Sequence, residues 1–156
     1  MHKISKATVM FLECPICLGT DFYTGKFSIL NDYGIQCASC GLSMEISITD
    51  NKMTKEEYEI ACLKKLEEMW NRRLETKTKL KMSSDGFYAC RFCGSTDIEC
   101  GAFDISPDWF VSCENCGAYI EGSIPWNGMT KEEHDAACFK AGHEAWNQCA
   151  RKVEQK

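Results

Sequence analysis

The sequence predicts an α+β fold assembled from two tandem small units, each a β-hairpin or three-stranded antiparallel sheet followed by one C-terminal α-helix. Three observations carry this expectation. The chain repeats itself at a constant offset of 76 residues, which pairs Cys14 with Cys90, Cys40 with Cys116, Thr54 with Thr130 and Trp70 with Trp146 without a gap. Each copy holds two Cys-x2-Cys pairs with nineteen residues between them. Each copy then closes on "MTKEE", an Ala-Cys pair and a Trp-Asn pair, from Met53 to Asn71 and from Met129 to Asn147. An offset held over that span indicates duplication of a whole structural unit. The units fall at 1–76 and 88–156, and the stretch "TKTKLKMSSDG" reads as a helix end passing into a loop, a linker at 77–87.

The first element of each unit is its paired knuckle: Cys14, Cys17, Cys37 and Cys40 in one copy, Cys90, Cys93, Cys113 and Cys116 in the other. Two cysteines three apart on a tight turn present both sulfurs to one ion, and a hairpin brings a second such turn opposite. The spacing therefore predicts two tandem zinc ribbons with one Zn²⁺ per repeat. Gly41, Gly94 and Gly117 directly follow second cysteines, where a left-handed backbone lets the chain fold around a metal. Leu18 stands at that place in the first knuckle, with Gly19 one position late, which predicts a distorted turn there. A rubredoxin-like iron site uses similar knuckles, and a disulfide scaffold is the other reading of 12 cysteines. The apolar run from Ala7 to Leu12 lacks a cleavage site and leads straight into a cysteine motif, which argues against a signal peptide. The expected compartment is thus a reducing cytoplasm, which favours metal over disulfides. No segment approaches the length of a membrane span.

Between the knuckles, "DFYTGKFSILNDYGIQC" and "DIECGAFDISPDWFVSC" alternate around a turn containing Gly or Pro, as a hairpin does. "MEISI" and "YIEGSI" follow and supply a third strand. Thr54 with Glu57, and Thr130 with Glu133, form capping boxes that open a helix. Along the first helix Tyr58, Ala61, Cys62, Leu66, Met69 and Trp70 form an apolar stripe, with Lys64, Glu68 and Arg72 spaced for ion pairs on another face. A unit of this size buries too little apolar surface for comfortable stability, whereas a structural zinc contributes roughly 10–16 kcal/mol of apparent binding energy to folding.

The repeat sorts the remaining residues. His134 aligns with Tyr58 and His143 with Glu67, so the common metal site needs neither histidine. Cys62 and Cys138 align on the apolar stripe and read as small buried hydrophobes; Cys100 and Cys149 face Thr24 and Arg73 and have no counterpart. Trp70 and Trp146 read as core. Tyr33, Trp109 and Phe110 lie on the hairpins just ahead of the second knuckle and form a candidate binding surface, because a small ribbon cannot cover both its faces. Lys64, Lys65, Arg72, Arg73, Lys77, Lys79 and Lys81 make either a solvated face or a phosphate-binding stripe.

Composition is that of a globular protein, 44% hydrophobic and 26% charged, but charge is unevenly divided. Through residue 82 there are 12 Lys and Arg against 11 Asp and Glu; beyond it there are 6 against 12. Each Zn²⁺ with four thiolates adds about −2, taking the formal charge from −5 to about −9. That balance disfavours a phosphate backbone at the second unit and favours a protein target with a basic surface. The first unit keeps nucleic acid as an alternative partner.

The stretches "CRFCGSTDIEC", "CENCGA" and "EAWNQCARK" resemble the Lar-type restriction alleviation family of bacterial and prophage zinc-ribbon proteins. That family pairs a CPFCGS-like knuckle with a CxxCGA knuckle and a helix ending in AWNRR. "CPIC", "CASCG" and "MWNRR" extend the likeness to the first half, so two tandem copies cover nearly the whole chain. The departures are Arg91 in place of Pro, Leu18 in place of Gly, and the doubling itself. The resemblance implies a small bacteriophage or prophage protein that shields incoming DNA from host restriction by acting on a restriction-modification system. A non-enzymatic anti-defence protein bound to a host protein in the bacterial cytoplasm is the first expectation. A nucleic-acid-binding zinc ribbon is the second, stacking bases on Tyr33, Trp109 and Phe110 and holding phosphates along Lys64 to Lys81. An enzyme is not expected, since a closed four-cysteine site has no open coordination position. The sequence leaves oligomeric state open.

Overall fold

The period-two segments between and after the knuckles become three antiparallel strands in each half. In the computed structural model, which describes residues 9–26, 33–49, 52–72 and 81–153, the first half holds β1 (Phe22–Lys26), β2 (Tyr33–Cys37), β3 (Ser43–Ile46) and α1 (Lys55–Asn71). The second holds β4 (Ile98–Ala102), β5 (Asp108–Cys113), β6 (Tyr119–Ser123) and α2 (Lys131–Val153). Arg73, Lys77 and Lys79 of the basic run lie outside the described residues, as does the side chain of Cys149. Of the expected linker, Met82 bridges Tyr88 and Phe87 is buried.

The strands do not form two separate ribbons. They join in one six-stranded antiparallel sheet, ordered β1-β2-β3-β6-β5-β4. At the joint Ser43 lies opposite Tyr119, and these two residues are equivalent under the 76-residue offset. When equivalent residues of two copies face each other in an antiparallel ladder, the copies are related by a local two-fold axis through that pair. The physical reason for the fusion is the third strand's outer edge. Left unpaired it would present bare backbone donors and acceptors, and its twin supplies a partner at the Ser43–Tyr119 pair.

Register settles the two faces, because residues directly opposite in a ladder point to the same side. Ile35 opposes Met44, and Val111 opposes Ile120; all four are buried. α1 packs on β2 and β3, and α2 on β4, β5 and β6. Ser43 and Tyr119 alternate with these inward positions, so both helices lie on one side of the sheet. Among the described residues no helix covers the other side.

Both helices start as their sequences dictate. The Thr54 amide donates to Glu57 Oε2 at 2.8 Å and the Glu57 amide to Thr54 Oγ1 at 3.3 Å. The equivalent Thr130 and Glu133 bonds measure 2.9 and 3.2 Å. Each such cap contributes about 1 kcal/mol. Cys62, Leu66 and Trp70 are wholly buried along α1, and Tyr58 and Met69 pack beside them. The ion pair described on α1 is Lys65 with Glu68 at 3.4 Å, both exposed.

The repeated Trp-Asn pair has a role beyond core filling. Trp70 Nε1 donates to the Leu12 carbonyl at 2.9 Å, Asn71 Nδ2 donates to the Met10 carbonyl at 2.6 Å, and Asn71 Oδ1 accepts from the Leu12 amide at 2.7 Å. Trp146 and Asn147 treat Tyr88 and Gly86 identically, at 2.9, 2.9 and 3.0 Å. In both halves the pair therefore clamps the backbone leading into the first knuckle and satisfies polar groups there.

The halves also interlock beyond the sheet. Phe92, between Cys90 and Cys93, packs on Trp70 of the other half with ring centroids 5.3 Å apart. Pro15, Ile16 and Leu42 share a small cavity of about 10 Å³ with Arg91, Phe92 and Trp146. The second half's first knuckle thus packs on the first half's helix tryptophan, and the first half's first knuckle lines a cavity with Trp146.

Candidate metal centres

Four knuckle turns build the sites. In each, the residue after the second cysteine returns its amide to the first cysteine's carbonyl: Leu18 to Cys14 at 2.9 Å, Gly41 to Cys37 at 3.0 Å, Gly94 to Cys90 and Gly117 to Cys113 at 2.8 Å. Gly41, Gly94 and Gly117 have φ of 77°, 76° and 75°, and Leu18 adopts 63°. The expected distortion of the first knuckle is therefore absent. Leu18 takes the same left-handed conformation its glycine counterparts take and bears the strain, on the order of 1 kcal/mol. Gly19 has a separate reason to be glycine: a Cβ there would lie 2.8 Å from Ser39 Oγ and 3.2 Å from Cys17 Sγ. Its amide donates to Cys17 Sγ at 3.4 Å.

Cys37 ends β2 and Cys113 ends β5, so each hairpin delivers its second knuckle against the first. Sulfur pairs stand 3.5 Å apart for Cys14–Cys40, Cys17–Cys37 and Cys90–Cys116, and 3.6 Å for Cys93–Cys113. Within each cluster all four sulfurs lie within 4.8 Å of one another, and none is in a disulfide. A tetrahedron with metal–thiolate bonds of ~2.3 Å has edges of ~3.8 Å, so the donor set fits a tetrahedral ion with little movement. Both clusters could hold a metal ion, and all eight cysteines named from spacing are in them.

Four thiols crowded on one point cannot all ionise without a cation. Hydrogen bonding from Cys40 lowers Cys14 to about 5, while Cys40 is pushed far above the usual thiol range by the same contact. Cys116, then Cys90, lower Cys113 to about 2; Cys113 in turn holds Cys116 up at about 12, and Cys90 is raised by Cys113 and Cys116. Each cluster is a pocket of sulfur whose charge a dication would complete.

The described thiols outside the clusters, Cys62, Cys100 and Cys138, are packing groups. Cys62 and Cys138 are fully buried, and burial pushes both thiols up. Burial, with Cys138 nearby, raises Cys100 to about 11. His134 is fully buried, stacked on Trp126 at 3.8 Å, with Nε2 2.8 Å from the Ile124 carbonyl. His143 Nε2 lies 2.9 Å from the Gly86 carbonyl, where Glu67 in the other copy accepts from the Met10 amide at 2.6 Å.

The expected aromatic surface is divided between the two sides of the sheet. Tyr33 faces α1 near Glu59 and Cys62, and burial raises its phenol. Trp109 is only 6% exposed and lies flat over Gly122, where a Cβ would collide with its ring. Phe110 alone of the three points to the uncovered side, crossing Gly101 and stacking with Tyr119 at 6.1 Å. Parity was the signal that separates them. Counting back from the inward Cys113, Trp109 falls on the same face and Phe110 on the opposite one.

Fold and clusters together define an α+β protein with two tetracysteine sites able to hold metal ions in one sheet-and-helix frame. No family model, curated protein or solved structure matches the chain. No described helix is long and apolar enough to cross a membrane.

Proposed function

We propose that each cluster holds one Zn²⁺ in a zinc-ribbon manner. We further propose that the protein is a non-enzymatic bacteriophage or prophage anti-defence factor of the restriction-alleviation kind, which binds and modulates a host defence or restriction-modification protein. All-sulfur tetrahedral donor sets suit zinc and leave it no open position for substrate, so the ions would serve folding rather than chemistry. The observation that carries the partner reading is the carboxylate-bearing open face of the sheet: Glu45, Glu99 and Glu121 are exposed there beside Asp108. Such a surface repels phosphate and suits a basic protein. The motif resemblance supplies the restriction system as the setting.

Two measurements test this. Elemental analysis of the purified protein is expected to give two zinc per chain; the visible absorption of an iron–thiolate site would replace zinc with iron. Affinity capture from bacterial lysate with nuclease is expected to retain a defence or restriction component. Loss of every captured protein on nuclease treatment would remove the anti-defence reading. It would favour nucleic acid at the first unit, where Lys64 and Lys65 on α1 and Arg72 at its C-terminal end are exposed.

A further inference from the structure

We propose that the uncovered face of the sheet is a docking surface for an arginine-rich polypeptide segment of the partner, with guanidinium groups seated on its aromatic rings and held by its carboxylates. This rests on the reading that the target is a protein. Three observations carry it.

The face is built of two chemistries. Phe103, Phe110 and Tyr119 run across the second half as a continuous row: Phe103 to Phe110 at 5.2 Å, Phe110 to Tyr119 at 6.1 Å with their planes 9° apart. Phe103 is 43% exposed. Around the row, by register, stand Glu99 on β4, Asp108 on β5, Glu121 on β6 and Glu45 on β3. Among the described strand residues on this side there is no lysine or arginine.

The carboxylates are oriented beside the rings. The Tyr119 hydroxyl donates to Glu121 Oε2 at 3.0 Å, and burial together with that carboxylate raises the phenol to about 12, so it stays a donor. Ser112 Oγ donates to Glu114 Oε1 at 2.7 Å. A shallow groove bordered by Gln36, Gly41, Asp108, Glu121 and Ser123 continues the surface across the joint.

The duplicated copy shows that the frame does not require Phe110, Tyr119 or Glu99, whereas Phe103, Asp108 and Glu121 recur in sequence as Phe27, Asp32 and Glu45. At the positions of Phe110, Tyr119 and Glu99 the first half carries Gly34, Ser43 and Tyr23, yet it forms the same three strands. The helix side, by contrast, is apolar in both copies, with Ile35 matching Val111 and Met44 matching Ile120.

The combination selects arginine. A planar guanidinium stacks on aromatic faces and forks onto a carboxylate, whereas a compact, strongly hydrated ammonium does neither as well. A second copy of this chain brings the same carboxylates and is repelled, and nucleic acid is repelled likewise.

The test uses the zinc-loaded full chain and a fluorescein-labelled arginine-rich peptide, with anisotropy as the readout. Saturable binding is expected, several-fold weaker for an all-lysine peptide of equal length. The double variant Glu99→Lys/Glu121→Lys, whose side chains are exposed, is expected to weaken it by about tenfold or more, and Phe110→Ser by a similar factor. Lys64→Glu on the helix side is expected to change it by less than about twofold. Zinc content and circular dichroism establish that each variant is folded. Absence of saturable binding overturns the proposal, as does a Glu99→Lys/Glu121→Lys effect no larger than that of Lys64→Glu. Self-association abolished by Phe110→Ser would assign the face to a second copy and also overturn it. Nuclease-resistant host-protein capture that survives Glu99→Lys/Glu121→Lys would overturn the face but keep the protein-target reading. Peptide binding lost in that variant, with no host protein captured by the wild type, would keep the face and remove that reading.

Discussion

At the scale of single residues, the sharpest contrast between the two copies is Leu18 against Gly94. Both hold the left-handed turn that returns an amide to the first cysteine's carbonyl, with φ of 63° and 76°, but only one has a Cβ to strain. Leu18 is 42% exposed, so removing it sacrifices little burial. Leu18→Gly is therefore expected to stabilise the zinc-loaded protein by about 0.5–1 kcal/mol, read as a higher urea midpoint, and Gly94→Leu to destabilise it by at least as much. A lower midpoint for Leu18→Gly would mean that its side chain contributes more than its backbone costs. The asparagines offer a second test. Asn147 is 6% exposed and holds two backbone groups, so Asn147→Ala is expected to cost about 2–3 kcal/mol. Asn71→Ala, at a more open site, is expected to cost roughly half that in the same titration. The eight cysteines were legible from spacing because a metal fixes their separation along the chain. The clamp was not, because its partners Met10 and Leu12 lie 61 and 59 residues from Asn71 and carry only backbone atoms to it.

At the scale of elements, helix starts were legible because a capping box is closed within four residues. Strand existence was legible from alternation. Which side each strand residue faces was readable from parity with the inward cysteines, and ignoring that parity grouped buried Trp109 with outward Phe110. The knuckle pairs carry the prediction that belongs here. A free cysteine thiol, with a pKa of about 8.5, keeps its proton at neutral pH, and where the knuckles crowd together Cys40, Cys90 and Cys116 are pushed further up. Zinc must displace those protons. Binding is expected to release protons and the apparent affinity to fall as pH falls. Calorimetry in two buffers of different ionisation enthalpy measures this directly, and equal apparent enthalpies in both would contradict it. Chelation should also erase helical circular dichroism, since each helix packs on a sheet whose turns the clusters pin.

At the scale of the whole molecule, the duplication was legible and the fusion was not. A constant offset reveals two copies, but one register pair, Ser43 with Tyr119, makes them a single sheet, and a lone edge pairing leaves no periodic mark. The fusion is expected to make the halves mechanically dependent. Phe92 sits between two cysteines of the second cluster and packs on Trp70 of the first half. Cys113→Ser is therefore expected to lower hydrogen-exchange protection in α1 as well as in α2, by about tenfold or more. Unchanged protection of α1 would show that the halves unfold independently. The two-fold joint also bears on assembly. If each half were a separate chain, the same edge pairing would be a dimer contact, and its occupancy would follow mass action, fading on dilution. Written into one polypeptide, the two edges meet at a fixed effective concentration whatever the abundance of the protein. A protein made in few copies would keep its whole sheet.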